Sequence, residues 1–166
     1  GCTFQNASYK YELAYKKKKV EDVFRKIAHI NYHINDVIGM EIPEHYRNKI
    51  QVPFQMSGKN VIYGFYRQNT HKIIQVDECN IEDKIAAKIL KNIAKLMDSM
   101  RILAYNEDQR SGVIRHVLIR TSLTNGDVMV VLVTNCLTFP NRNNFVKEIV
   151  KNNPQVKTVV QNINLR

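Results

Sequence analysis

The tetrapeptide Thr124-Asn125-Gly126-Asp127 separates two β-prone runs, residues 112–123 and 128–133. Asn-Gly between apolar runs is the strongest short-range hairpin signal, because both residues tolerate the positive φ that a tight reversal demands. The pair therefore predicts two antiparallel neighbours and excludes an all-parallel sheet. Every residue from Val128 to Val133 is apolar, which predicts a central strand covered on both faces.

The rest of the chain is read around that hairpin. Residues 48–56 form an extended candidate in which Pro53, lacking an N–H, argues for an edge or a bulge. Residues 61–67 and 72–76 predict a second hairpin around 68–71, and residues 156–162 a last strand. A helix is predicted over 8–29, capped by the Ser8 hydroxyl. Leu13, Val20, Phe24 and Ile27 share a face of it, and Glu12–Lys16, Glu21–Arg25 and Asp22–Lys26 are acid-before-base pairs at i,i+4. The run Lys16 to Lys19 wraps around this helix, as a solvated face or as a phosphate patch. Residues 30–45 read as loop. A second helix over 82–101, with Asn80 as cap and Asp83 three residues on, carries the stripe Ile85, Ile89, Ile93, Leu96 and Met100. A short third helix over 145–151 ends at Asn152-Asn153-Pro154. The order α-β-β-β-α-β-β-α-β predicts an α+β fold, a mostly antiparallel sheet with helices packed on it, in a single domain over 1–166.

Charge narrows the function. Lys and Arg number 25 against 15 Asp and Glu, a formal net charge of +10. Such an excess favours polyanions through long-range attraction and counterion release. No run of about 18 apolar residues could span a membrane, and no signal peptide opens the chain. It starts at Gly1 rather than Met, which is read as a piece of a longer protein. Three cysteines, Cys2, Cys79 and Cys136, make no secreted disulfide framework and suit a reducing cytoplasm. There is no GxGxxG, Walker loop, HExxH or CxxC. His29 and His33, four apart, lack further ligands nearby and read as surface residues, as do His45, His71 and His116 unless the last two touch RNA. The adjacent carboxylates Asp77-Glu78 and Glu107-Asp108 read as solvated loop pairs.

Several blocks in joint order resemble the RNA (uracil-5-)-methyltransferases that act on 23S ribosomal or transfer RNA. They are Cys-Thr-Phe-Gln-Asn-Ala-Ser-Tyr from Cys2, Leu13-Ala14-Tyr15-Lys16, Lys19 through Phe24, Tyr46 through Phe54, Gly64-Phe65-Tyr66-Arg67, His71-Lys72-Ile73-Ile74, Asp77-Glu78-Cys79, Ser111 through Arg120, Val128 through Thr134, and Gln161-Asn162-Ile163-Asn164. The resemblance spans nearly the whole chain and implies the central domain of a larger enzyme. The flanking oligonucleotide-binding barrel and S-adenosylmethionine domain would be absent, and the piece alone inactive.

Residue by residue, the resemblance implies Cys2 and Cys79 as two of four 4Fe–4S ligands. The alternative for Cys79 is an ordinary buried thiol, and Cys136 matches no ligand. Two ligands cannot hold the cluster, so neither it nor S-adenosylmethionine is expected on this piece. RNA contacts are expected from Arg47, Lys49, Arg67, His71, Lys72, Arg115 and Arg120. Tyr63, Phe65 and Tyr66 either stack bases or pack the core. Gln161, Asn162 and Asn164 are expected at the joint with the methyltransferase domain. Implied partners are RNA, ribosomal before transfer, and that absent domain, with no membrane. The competing reading is a basic nucleic-acid-binding module with no enzymatic parent; a third, an enzyme complete in itself, lacks any motif.

Overall fold

The computed structural model describes residues 3–76 and 78–165. It divides into two compact units, Gly1–Pro43 and Glu44–Arg166.

The first unit is built on helix α1, Tyr9–Lys26. Ser8 caps it as expected, its hydroxyl accepting from the Tyr11 N–H. The helix stops short of the predicted end; His29, at φ 55°, takes the left-handed conformation that turns the chain away. Residues 30–43 fold back along one side. The Met40 N–H donates to the Tyr9 hydroxyl at 2.7 Å, Lys17 pairs with Asp36 at 2.7 Å, and Phe24 packs on Tyr32.

The second unit holds strands β1 (Lys49–Ser57), β2 (Asn60–Tyr63), β3 (Phe65–Tyr66) and β4 (Ile73–Ile74), then helix α2 (Lys84–Met100), β5 (Ile114–Thr121), β6 (Val128–Thr134), helix α3 (Arg142–Asn152) and β7 (Val156–Ile163). Five strands make one sheet in the order β2-β1-β5-β6-β7, and β3 and β4 pair separately. All pairs are antiparallel except β6 with β7, which α3 joins as a parallel crossover. The α+β reading holds.

Four local expectations change. The predicted strand over 61–67 breaks at Gly64, giving a fourth strand before α2; the Ile74 carbonyl oxygen lies so close to Gly64 that any Cβ there would collide with it. The cap of α2 is Asp83, whose carboxylate accepts from the Ile85 and Ala86 N–H groups; the Asn80 carbonyl instead accepts from the His45 N–H. Pro53 lies in an internal strand, but β2 pairs only with Phe54–Ser57, so at Pro53 the strand has a single laddered neighbour, β5. Finally β6 alternates: Val128, Val130, Leu132 and Thr134 are buried, whereas Met129, Val131 and Val133 are half-buried. One face of the sheet is sealed and the other is not.

The sealed face takes α2 and α3. Ile89, Leu90, Ile93 and Met97 of α2 and Phe145 and Ile149 of α3 meet Ile50, Val52, Val117, Ile119, Val130 and Leu132. Burying one such side chain stabilises the fold by roughly 1.5–3 kcal/mol. Asn92 and Asn153 bond to each other at 2.8 Å, tying the two helices.

Candidate nucleic-acid interface

Strand register settles what the other face presents. Paired residues share a face, so β1, β5, β6 and β7 lay down three rows. One row is Lys49, Arg120, Met129 and Thr158; the next is Gln51, Leu118, Val131 and Val160; the last is Pro53, His116, Val133 and Asn162. The result is an aliphatic floor between a cationic end and a polar end. Val160 is 39% exposed and Leu118, Val131 and Val133 are half-buried.

At the cationic end Lys49 stands directly opposite Arg120, and both are exposed. Like charges facing each other across two strands cost up to about 1 kcal/mol. Neither has an ion pair among the described residues. An anion seated between them would convert that repulsion into attraction. Arg47 is two residues upstream and exposed, its backbone bridged to Glu82.

A second cationic group occupies the β3–β4 turn. The Arg67 N–H donates to the Lys72 carbonyl at 2.9 Å, so the two exposed cations close the hairpin from either side. His71 stands on the same turn, 5.8 Å from the Tyr66 ring and 3.4 Å from a Glu107 carboxylate oxygen.

Arg115 is spent differently. Its guanidinium lies 4.5 Å over the Tyr105 ring, pairs with Glu107 at 3.3 Å and donates to the Asn164 carbonyl at 3.4 Å, leaving 12% of the side chain exposed. Neither Tyr105 nor Glu107 stands out in the sequence as its partner; a cation eight residues from a loop acid and ten from a loop aromatic has no fixed geometry until the chain folds. Gly112, at φ 102°, brings this loop against Ala104 where a side chain would strike the Ala104 carbonyl. Beside Arg115, burial holds the His116 imidazole below its ordinary value, and the Arg115 charge adds to that.

Tyr63 and Phe65 take the packing option: Tyr63 lies 5.4 Å from buried Phe54, and both pack on the core. Tyr66 is 41% exposed. The open face itself carries no Phe or Tyr, so a base laid on it rests on Leu118, Val131 and Val160.

The polar end of the chain divides. The Gln161 amide donates to Thr134 Oγ1, the Cys136 carbonyl and the Leu137 carbonyl, and its oxygen accepts from Arg142. It locks the β6–α3 connection. Asn162 is exposed on the open face opposite Val133, and Asn164 extends the ladder through its N–H to Thr134.

Cys79 is a half-exposed free thiol, and Cys2 and Asp77 lie outside the described residues. Burial raises the Cys136 thiol above its usual range, which disfavours the thiolate a metal needs. No three His, Cys, Asp or Glu among the described residues are placed to hold a metal ion. A 4Fe–4S cluster takes four thiolates; the chain has three cysteines in all and does not by itself fit one.

The chain is 38% identical over 166 residues to an uncharacterized RNA methyltransferase of Oceanobacillus iheyensis, covering 99% of this chain and 36% of that protein. It is related to one segment of RNA methyltransferases. A second such protein, from Halalkalibacterium halodurans, is 38% identical over 165 residues, and one from Clostridium tetani 34% over 164; the chain again covers 36% of each. It thus spans about a third of the length of the methyltransferases it matches. Among solved structures, the tRNA (uracil-54, C5)-methyltransferase of Pyrococcus abyssi, in complex with S-adenosyl-L-homocysteine, superposes with a TM-score of 0.65 at 22% identity, over 87% of this chain and 33% of that one. That likeness is one of fold. No family model matches the chain. Among the described residues, no helix is long and apolar enough to cross a membrane.

Proposed function

We propose that this chain is the RNA-gripping segment of an S-adenosylmethionine-dependent RNA methyltransferase acting at C5 of uracil in the cytoplasm, with 23S ribosomal RNA as substrate. The observation that carries it is the facing, unpaired Lys49 and Arg120 at one end of an open aliphatic sheet face, in a chain related to RNA methyltransferases.

C5 of uracil is a weak nucleophile. Addition of a thiolate at C6 makes C5 enolate-like, the C5 electron pair takes the methyl group from the sulfonium donor, and loss of the C5 proton with expulsion of the thiolate restores the ring. This chain supplies none of those groups. Its part is to hold RNA while the target base leaves its stack, which costs a few kcal/mol. Lys49 and Arg120, with Arg47 beside them, seat phosphates, and the Arg67–His71–Lys72 turn seats a further stretch of backbone. The aliphatic floor accepts bases without reading them. Asn162 and Asn164 meet the methyltransferase domain. A 4Fe–4S cluster in the longer protein would take Cys2 and Cys79 as two of its four thiolate ligands.

Transfer RNA is the second reading, favoured by the substrate of the Pyrococcus enzyme. The longer protein carrying this segment, given labelled methyl donor and unmodified ribosomal or transfer RNA, should form 5-methyluridine in the ribosomal RNA. The double variant Lys49→Gln/Arg120→Gln should raise the KM for RNA about tenfold, two lost phosphate contacts at roughly 0.7 kcal/mol each, with the donor KM unchanged. Product in transfer RNA alone selects the second reading. RNA binding with no methyl transfer leaves a nucleic-acid-binding module without an enzymatic role.

A further inference from the structure

The lysine run of α1 divides into two functions. Lys16 pairs with Glu12 one turn earlier, and Lys17 with Asp36 of the segment that folds back on the helix. Lys18 and Lys19 have no ion pair among the described residues. They line a groove of about 520 Å³ with Tyr11, Tyr15, Val23 and Ile27. Tyr11 is 58% exposed, and its ring stacks on that of Tyr15 at 6.4 Å and 26°. Phe4 fixes Tyr15 from the far side, edge-on at 5.3 Å. The groove's one acid, Asp22, is already held by Arg25 at 2.7 Å and Lys26 at 3.5 Å.

Exposed large side chains in one contiguous patch mark an interaction surface. The charges say which kind. A protein surface closing over this groove would have to supply acids for Lys18 and Lys19 or bury them unpaired, which is costly. Single-stranded RNA supplies both halves of the match, phosphates for the ammonium groups and π-faces for the tyrosines.

We infer that this face of α1 is a second RNA-contact surface, on which Tyr11 and Tyr15 stack unpaired bases while Lys18 and Lys19 hold the adjoining phosphates. It is carried by the first unit, and the sheet face by the second.

The test uses the whole chain and a fluorescein-labelled oligouridylate, read by anisotropy across a salt series. Tyr11→Ala/Tyr15→Ala should weaken binding about fivefold or more, the low end of one lost base stack. Lys18→Gln/Lys19→Gln should flatten the slope of log K against log salt by about 1.4, two single-strand phosphate contacts, and Lys18→Arg/Lys19→Arg should restore it. All four side chains face solvent, so circular dichroism should show the helix intact in each variant. If both α1 variants bind like wild type while Lys49→Gln/Arg120→Gln binds weakly, the inference falls and the sheet reading stands. If the sheet variant binds like wild type and the α1 variants do not, the reverse holds. No binding by the wild-type chain at low salt overturns both. If the α1 variants leave RNA affinity untouched and instead lower the melting temperature of the longer protein, the face is a domain contact and the inference is wrong.

Discussion

Glu82 is 7% exposed, and its Oε1 has no hydrogen-bond partner among the described residues. Burial raises its pKa, with the Arg47 charge pulling the other way. A carboxyl raised in the folded state is a stability liability once it ionises: its contribution is whole below the ordinary carboxylate value and is lost as pH rises from there through the raised folded value. Glu82→Gln should therefore raise the Tm at pH 7 by a few degrees, on the order of 1 kcal/mol. The gap should close as the wild type is titrated towards pH 4. A lower Tm for the variant at pH 7 would mean that the Arg47 attraction outweighs burial. Nothing in the sequence marked Glu82, since a lone Glu at a helix start reads as an ordinary first-turn acid. Asp83 was legible as part of a capping pattern, but as the reciprocal member and not the cap. Both Asn80 and Asp83 are good caps, and the choice fell to Asp83 because the Asn80 carbonyl is drawn into pairing with His45. Asp83→Ala should cost about 1 kcal/mol and lower the Tm accordingly.

Among the elements, the hairpin at Asn125-Gly126, the three helices and the strand positions were readable because each rests on local periodicity or a turn signal. Gly126 sits at φ 74° in a loop closed by Ser122 and Asp127. What was not readable depends on distant backbone. The break falls at Gly64, where the Ile74 carbonyl, ten residues away, passes over the chain. Gly64→Ala should force β3 and β4 apart at a cost of roughly 1–3 kcal/mol. Hydrogen exchange of residues 65–74 should quicken while that of α2 stays slow; uniform quickening would show that the hairpin is not a separate unit. The all-apolar composition of β6 misled for a related reason. It implied two covered faces, yet α2 and α3 both lie on one, and Met129, Val131 and Val133 are left as part of an open floor. The parallel β7 was equally hidden, as direction follows from the crossover and not from the strand's own residues.

Over the whole molecule, a net charge of +10 says that polyanions are favoured but not where they sit. Folding sorts the cations. Arg115 is held over Tyr105 and against Glu107, Lys16 and Lys17 are paired, and Lys49, Arg120, Arg67 and Lys72 remain outward. Of the residues expected to touch RNA, the structure thus groups Lys49 and Arg120 on one face, with Arg47 just upstream, and Arg67, His71 and Lys72 on one turn. That grouping came from strand register, which hydrophobic patterning did not fix. The most direct measurement is the affinity of this chain for unstructured RNA across a salt series, wild type beside Lys49→Gln/Arg120→Gln. Binding should be tight at low salt and fall steeply as salt rises, with a slope shallower by about 1.4 in the double variant. An affinity that ignores salt, or a double variant with the wild-type slope, would contradict this expectation.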